Sequence, residues 1–283
     1  MFGIKTLSAL LVVICFSQVS VAEDIRINKV ADEKEELLLS VLELVWSKAD
    51  PNGKIIQLND ELPVSRLPVE VETGAIDLMW AGASAKNDEQ MLAVRIPLLK
   101  GMLGHRICII RQGDQHKFND IRSISDLARL DAGMGRTWGS TKVLEQAGLN
   151  VVTAMKYENL FHMLEGGRFD YFPRGIHEPW AELAKYPELP LEVEKRILLI
   201  YPYAMYFYLQ KDNRALHAKL TRGFEQAIAD GSFDELFYSA PMVKQVIEKG
   251  DIKDRLVLRM PNNEMHKDTP VDRPELWLDV NKL

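Results

Sequence analysis

Two short segments of this 283-residue chain carry the side chains best suited to hold a small molecule. In the first, residues 133–141 (GMGRTWGST), a predicted strand passes into a helix whose start Ser140 or Thr141 can cap. The free N–H groups of a helix start attract carboxylate or phosphate groups, and Arg136 would add a positive charge there. Trp138 can stack on a ligand or fill the core. Ordinary capping is the alternative explanation of the Ser-Thr pair.

The second segment, residues 167–175 (GRFDYFPRG), offers Arg174 at the end of a predicted strand that also contains Phe172. An arginine at the carboxyl end of a strand can hold an anionic group through two parallel hydrogen bonds. We therefore assign Phe172 and Arg174 to the candidate binding site. The alternative is a surface arginine that pairs with Glu178 or Glu182.

The second segment repeats the pattern of residues 74–82 (GAIDLMWAG). Each copy follows a helix-like stretch and leads into a short apolar strand, so the repeat predicts two similarly built α/β lobes. Ligands of open parallel sheets collect outside the carboxyl ends of the strands, and the exits at 80–84 and 172–175 would face a shared cleft. Trp80 and Ser84 join the candidate site for that reason, although a core role for Trp80 explains its position equally well.

The sequence contains few residue patterns that are typical of catalytic or metal-binding sites. The six histidines are scattered, and no pair of them has a metal-ligand spacing beside suitable carboxylates. The glycines of the first segment do not form a dinucleotide-binding fingerprint, and there is no Gly-x-Ser-x-Gly elbow or phosphate-binding loop. We expect no metal and no cofactor, and we assign no catalytic residue.

The chain begins with a pattern typical of a cleavable signal peptide. Lys5 supplies the positive charge, residues 7–16 form an apolar run, and Ser20 and Ala22 fit the small-x-small cleavage rule. A membrane anchor is the rival interpretation, but a span needs about 20 apolar residues and this run is shorter. We predict that residues 1–22 are a signal peptide and that the protein is secreted.

The composition of the remaining chain excludes some partners. Without Lys5, 34 basic residues face 41 acidic ones, which leaves a net charge of −7. This balance argues against a nucleic-acid or an anionic-membrane partner, because both select basic surfaces. Cys108, the one cysteine left, lies in an apolar stretch and is interpreted as a small buried hydrophobic residue.

Helical and strand patterns alternate along most of the chain, which predicts an α/β fold with a mainly parallel sheet flanked by helices in each lobe. The predicted helices lie at 33–48, 140–147, 157–165 and 213–230, and the predicted strands at 54–58, 105–110, 131–135, 150–154 and 203–209.

These patterns divide the secreted chain into four parts. Residues 23–110 form the first part of lobe 1, residues 111–204 form lobe 2, and residues 205–260 return to lobe 1. Residues 261–283 are predicted to be a tail that packs on the surface and is held by burial of Trp277. A chain that enters a second lobe and returns makes two connecting strands, which form a natural hinge.

The motifs resemble, in their order, the bacterial extracellular solute-binding proteins of family 3, whose best-known members bind polar amino acids for ABC transporters. The matching motifs are residues 74–77 (GAID), 93–97 (AVRIP), 124–127 (ISDL), 166–170 (GGRFD) and 209–237, within a region of about residues 24–240. The resemblance implies a two-lobed periplasmic-binding-protein-like fold that closes on its ligand about two hinge strands. It also implies a periplasmic monomer whose partners are a small-molecule ligand and an ABC transporter permease or a membrane sensor.

This sequence departs from the family at the ligand. An arginine grips the ligand carboxylate in the amino-acid binders, and the matching position here is Asp88. The early aromatic segment of the family is missing after residues 27–30, and the acid that takes the amino group falls near Arg174 and Gly175. Both charged clamps for an α-amino acid are therefore absent or reversed in sign. We expect a small polar, anionic solute instead.

Two other functions stay open at this point. A few periplasmic relatives with this scaffold are enzymes that act on small carboxylic acids, and Asp88, His177 or Glu178 would have to serve as the acid here. The chain would otherwise be an interaction module that has lost its ligand. An open polar cleft would favour solute binding, and a sealed cleft would favour the interaction module.

Overall fold

The computed structural model describes residues 23–283, so the predicted signal peptide lies outside the described residues. No helix in residues 23–283 is both long and apolar enough to cross a membrane. The helices are α1 (Glu33–Ala49), α2 (Leu67–Glu72), α3 (Ala85–Gln90), α4 (Ile124–Leu127), α5 (Gly139–Gln146), α6 (Tyr157–Glu165), α7 (Pro179–Lys185), α8 (Arg214–Ala229), α9 (Ser232–Ser239) and α10 (Pro241–Lys249). The strands are β1 (Ile25–Ile27), β2 (Ile55–Gln57), β3 (Leu78–Gly82), β4 (Leu92–Val94), β5 (His105–Arg111), β6 (Asp131–Gly135), β7 (Asn150–Ala154), β8 (Phe172–Gly175), β9 (Leu191–Val193), β10 (Ile197–Ile200), β11 (Met205–Leu209) and β12 (Leu256–Arg259).

The first lobe is built on β1 to β4 and β11. β3 and β4 both pair antiparallel with β11 and therefore run parallel to each other, while β1 pairs parallel with β2. The N–H of Asp77, just before β3, donates to the carbonyl of Arg26 in β1 over 2.8 Å and joins the two groups of strands. Helices α1 and α8 cover this lobe, and α1 begins at Asp32, whose side chain accepts from the N–H of Glu35.

The second lobe is built around β5. Strands β8, β9 and β10 all pair antiparallel with β5, and β12 extends the sheet by pairing parallel with β10. The parallel pair β6–β7 joins β8 through the N–H of Gly133, which donates to the carbonyl of Tyr171 over 2.8 Å. The predicted two-lobed α/β fold with sheets flanked by helices is confirmed. Most strands of the sheets around β5 and β11 run in one direction, but five of the eight strand pairings in residues 23–283 are antiparallel, because β5 and β11 run against their neighbours.

Two boundaries of the predicted division differ from the strand pairing. The predicted first part of lobe 1, residues 23–110, includes β5, which lies at the centre of the second sheet. The predicted return to lobe 1, residues 205–260, includes β12, which forms an edge of the same second sheet. The apolar pattern of a strand shows that it is buried, whereas its partners are distant in sequence and leave no local signal.

Two of the chain segments that cross between the lobes lie side by side, and residues 250–255, between α10 and β12, make a further crossing. Residues 95–104 connect β4 to β5, and residues 201–204 connect β10 to β11. The N–H of Tyr201 donates to the carbonyl of Gly104 and the N–H of Leu98 donates to the carbonyl of Met205, each over 3.0 Å. The two crossings that lie side by side are the two hinge strands of the predicted fold.

The sequence repeat is also a structural repeat. Gly74 follows α2 with φ of 74°, and Gly167 follows α6 with φ of 70°. This left-handed conformation costs glycine little because it has no Cβ. Each turn then leads into a strand, β3 in the first lobe and β8 in the second.

The C-terminal segment, residues 261–283, leaves β12 in the second lobe and ends on the first. Leu276 and Leu278 are buried in the hydrophobic cluster around α1 and α8, to which β5 and β10 of the second sheet also contribute, and the half-buried Trp277 packs against Gly101 in the first crossing. The predicted anchoring by Trp277 therefore involves the two leucines that flank it as well.

Candidate functional site

A cavity of about 710 Å³ lies between the two lobes. This volume falls within the roughly 300–1,000 Å³ of ordinary small-molecule sites. Five parts of the chain line it: residues 83–86 after β3, residues 136–145 at the start of α5, Thr153 in β7, residues 203–204 in the second crossing, and residues 262–269 of the C-terminal segment. A molecule in this cavity would contact both lobes at once.

The start of α5 faces the cavity without a side-chain cap. The helix begins at Gly139, so the cap position belongs to Trp138, whose side chain makes no capping bond. The hydroxyl of Thr141 instead donates to the carbonyl of Gly135 over 2.7 Å, and Ser140 is buried inside the first turn. The prediction that Ser140 or Thr141 caps this helix is wrong, because the helix starts one residue before them. The uncapped first turn keeps its attraction for an anion.

Four of the eight predicted site residues line the cavity: Ser84, Arg136, Trp138 and Thr141. Ser84 also caps α3, since its hydroxyl oxygen accepts from the N–H of Asn87 over 3.2 Å. The indole of Trp138 stacks on the ring of Phe172, with centroids 6.2 Å apart and planes 13° from parallel. Phe172 therefore supports the cavity wall from behind.

The other four predicted residues, Trp80, Ser140, Phe172 and Arg174, do not line the cavity. Trp80 packs on the core of the first lobe, 6.4 Å from the ring of Phe207. Ser140 and Phe172 are buried in the second lobe. Trp80 thus takes the core role that the sequence left open.

Arg174 is buried, and carboxylates of its own lobe occupy its guanidinium. Its Nε and Nη2 donate to the two carboxylate oxygens of Glu182 over 2.8 and 2.6 Å, and Glu178 lies 3.1 Å from Nη2. Burial would lower the pKa of Arg174, but the charges of Glu178 and Glu182 outweigh burial and raise it. The guanidinium is also enclosed by the rings of Trp138 and Phe172, 4.9 and 4.8 Å from their centroids. The expectation that Arg174 holds the ligand is not supported. The structure contains the alternative, in which Arg174 pairs with Glu178 and Glu182.

Several cavity residues were missed by the sequence analysis: Lys86, Lys142, Glu145, Tyr203, Asn262, Glu264, Met265 and Thr269. Lys142 and Glu145 follow the predicted site residues Trp138 and Thr141 by four positions, the spacing of one helix face, so the sequence could have provided them. Lys86 follows Ser84 by two residues, a spacing that gives no such signal. Residues 262–269 carried no signal, because a tail without periodicity does not show which surface it covers.

The charges around the cavity favour an anion. Lys86, Arg136 and Lys142 face Glu145 and Glu264, which leaves one positive charge in excess. Lys142 lies 3.9 Å from Glu264. Within residues 23–283, no carboxylate lies within 4 Å of the Arg136 guanidinium, whose Nε donates to the hydroxyl of Thr153 over 3.3 Å. Arg136 and the uncapped start of α5 therefore present positive charge to the same space.

The three residues considered for acid catalysis do not line the cavity. The carboxylate of Asp88 lies 3.1 Å from Arg95 and accepts from the hydroxyl of Tyr208 over 3.2 Å. Burial would raise the pKa of Glu178, but nearby positive charges, led by Arg174, hold it well below its usual range. Burial lowers the pKa of His177 to about 4. At neutral pH Glu178 would be ionised and His177 would be a neutral imidazole, so neither would serve as a general acid.

Within residues 23–283, no three His, Cys, Asp or Glu side chains come together as metal ligands. The thiol of Cys108 is fully buried, as the sequence indicated, and burial raises its pKa well above the ordinary value.

The chain matches no known protein-family profile, and no curated protein matches it. Its fold is nevertheless found in solved structures. An ancestral arginine-binding protein bound to arginine matches with a TM-score of 0.51 and 16% identity, over 77% of this chain and 98% of that one. The protein ytmK of Bacillus subtilis, described as a probable amino-acid ABC transporter extracellular-binding protein, matches with a TM-score of 0.57 and 16% identity, over 79% of this chain and all of the other.

The L-cystine solute receptor of Neisseria gonorrhoeae, in its unliganded open conformation, matches with a TM-score of 0.50 and 13% identity, over 77% of this chain and 92% of that one. At these identities the likeness concerns the fold alone. This chain therefore has the two-lobed fold of transporter solute-binding proteins, as the motif order predicted. About a fifth of the chain lies outside each of these matches.

Proposed function

We propose that the protein is a solute-binding protein that captures a small polar, anionic solute between its two lobes and does not transform it. The observation that carries the proposal is the 710 Å³ cavity, because both lobes and the hinge contribute to its walls. Closure of two lobes on one molecule buries most of its surface, which neither lobe could do alone.

Two features of the second lobe, Arg136 and the start of α5, support an anionic solute. Arg136 and the uncapped start of α5 are adjacent in the chain and line the same cavity. A carboxylate or another small oxyanion would accept hydrogen bonds from the first-turn N–H groups and from the guanidinium together. Trp138 would cover an apolar part of the solute, since it forms part of the same wall.

The place and partners of the protein follow from the same proposal. A cleaved signal peptide would deliver it to the periplasm as a monomer, where it would present its solute to an ABC transporter permease or to a membrane sensor. The fold it shares with transporter binding proteins supports this role.

The cavity also bears on the two alternative functions. An open cavity with charged side chains in its lining, and with Arg136 exposed in it, argues against a module that has lost its ligand. The engaged side chains of Asp88 and Glu178 argue against an acid catalyst at neutral pH.

A thermal-shift screen tests the proposal. A ligand that binds only the folded state at 100 times its Kd adds about 2.7 kcal/mol of stability, which is a rise of about 5 °C or more in Tm for a chain of this size. The panel would contain monocarboxylates, dicarboxylates, sugar acids, amino acids, inorganic phosphate and neutral sugars. We expect the largest rise from a small anion. A screen in which only neutral sugars raise Tm would contradict the anionic assignment.

The variant Arg136→Ala tests the site. It should weaken the best anionic binder of the screen by about ten- to a hundred-fold in a calorimetric titration, the scale of one charge-assisted hydrogen bond. Arg129→Ala is the matched control, since Arg129 lies in the same lobe, is exposed and pairs with Asp126. Equal affinities of the two variants would remove Arg136 from the site.

A further inference from the structure

The C-terminal segment, residues 261–283, runs from one lobe to the other beside the two hinge strands. It starts from β12, which belongs to the second sheet, and the N–H of Met260 donates to the carbonyl of Ile200 over 2.8 Å. The side-chain amide of Asn262 then donates to the carbonyl of Pro202 in the second crossing over 2.8 Å. From there, residues 262–269 line the cavity before the chain reaches the first lobe.

The far end of this segment is held firmly by the first lobe. Arg273 donates to both carboxylate oxygens of Glu225 in α8 over 2.7 and 3.0 Å. The N–H of Leu278 donates to the carbonyl of Lys100 over 2.7 Å, and the buried ammonium of Lys100 donates to the carbonyl of Glu275 over 2.7 Å. With Leu276 and Leu278 in the core, this end would separate from the lobe only if apolar side chains were exposed to water.

The contact of the segment with α5 is much weaker. The amide of Gln146 donates to Glu264 over 2.8 Å, and Lys142 lies 3.9 Å from the same carboxylate. The side chains of Lys142 and Glu264 are 68% and 45% exposed, and an exposed pair of this kind contributes about 0–1 kcal/mol. The segment therefore has a strong attachment at each end and a weak one along the cavity.

We propose that the C-terminal segment is a strap that closes one side of the solute cavity and limits how far the lobes can separate. Two hinge strands and the link from α10 to β12 already join the lobes, and the C-terminal segment adds a further connection. Because both of its ends are anchored, it must stretch or detach as the lobes part. Solute exchange then proceeds through release of Glu264 from α5. The role in solute exchange rests on the proposed function, whereas the restraint on the lobes exists without any solute.

The length of the strap sets the size of the restraint. Between Met260, which is bonded to the second sheet, and Pro270, whose carbonyl accepts from the indole N–H of Trp277, only nine residues intervene. Fully extended, this stretch reaches about 35 Å at most. This reach is the upper limit on the separation of the two anchors while both stay attached.

The test measures the distance between the lobes in the solute-free protein. Spin labels are attached to Val69→Cys in the first lobe and Met155→Cys in the second, since both positions are more than half exposed and Cys108 is buried. Six residues that carry a protease site are inserted between the exposed residues Lys267 and Asp268. The distance distribution is recorded by pulsed electron paramagnetic resonance before and after cutting the same folded sample.

The uninterrupted chain should give one narrow distance distribution, and cutting should add longer distances. The same insertion between Asn59 and Asp60, in an exposed loop of the first lobe, is the matched control and should leave the distribution unchanged after cutting. A broad distribution in the uninterrupted chain, or no change when the strap is cut, would overturn the proposal. Neither result depends on a solute, so the outcome is separate from that of the binding screen.

Discussion

At the scale of single residues, Arg174, one of the anion-binding candidates of the sequence, has an internal partner. Arg174 and Glu182 form a buried pair with two short hydrogen bonds, and the hydroxyl of Tyr157 donates to the same carboxylate over 2.5 Å. Position at a strand end identifies a residue that can reach a cleft. Such a position does not show whether a carboxylate eight residues later already pairs with the guanidinium of Arg174.

Removal of one member of this pair should be costly. Arg174→Met leaves Glu182 buried without its main partner, and we expect a loss of about 3–5 kcal/mol in the free energy of unfolding by urea. The double variant with Glu182→Met should recover part of that loss, because the charge of Glu182 is removed while, among residues 23–283, Glu178 keeps only Arg106, 3.7 Å away, as a cationic partner. A double variant whose loss equals the sum of the two single losses would show that the pair is not coupled.

Four of the predicted site residues could be identified from the sequence because of their place in the chain. Ser84, Arg136, Trp138 and Thr141 line the cavity because they follow strand ends, which is a topological property that the chain pattern reveals. Trp80 and Arg174 share that position, but packing and pairing decide where their side chains lie. Those contacts come from residues distant in sequence or across a helix turn, and no local pattern records them.

At the scale of elements, local periodicity was a good guide. The predicted strands at 131–135 and 150–154 and the predicted helix at 157–165 coincide with β6, β7 and α6. The predicted helix at 33–48 differs from α1 by one residue. These elements have alternating or helical apolar patterns of their own, whereas the membership of β5 and β12 in the second sheet depends on distant partners.

The two repeated turns make an element-scale prediction. Gly74→Ala and Gly167→Ala should each cost about 1 kcal/mol in urea unfolding, since both glycines have positive φ and an added Cβ would meet almost nothing. The loss would therefore come from the backbone alone and be similar in the two lobes. Gly139→Ala is the control, because it has no positive φ and its nearest neighbour atom would lie 3.5 Å away. A loss at Gly139 as large as at the turns would contradict this explanation.

At the scale of the whole molecule, the cavity has walls from parts of the chain that lie more than 180 residues apart. Residues 83–86 belong to the first lobe, residues 136–142 to the second, and residues 262–269 to the C-terminal segment. The motif order indicated the two lobes, but the contribution of residues 262–269 to the cavity could not be predicted. A tail without periodicity gives no sequence signal for the surface on which it packs. The proposed site exists only when all three parts are assembled.

The central claim is that the solute binds between the two lobes. Hydrogen–deuterium exchange of the protein with and without the strongest binder of the screen tests this claim most directly. Binding between the lobes should slow exchange of the backbone N–H groups in all three segments, 83–86, 136–142 and 262–269, at the same solute concentration. Protection confined to one lobe, or protection elsewhere with these three segments unchanged, would contradict capture of the solute between the lobes.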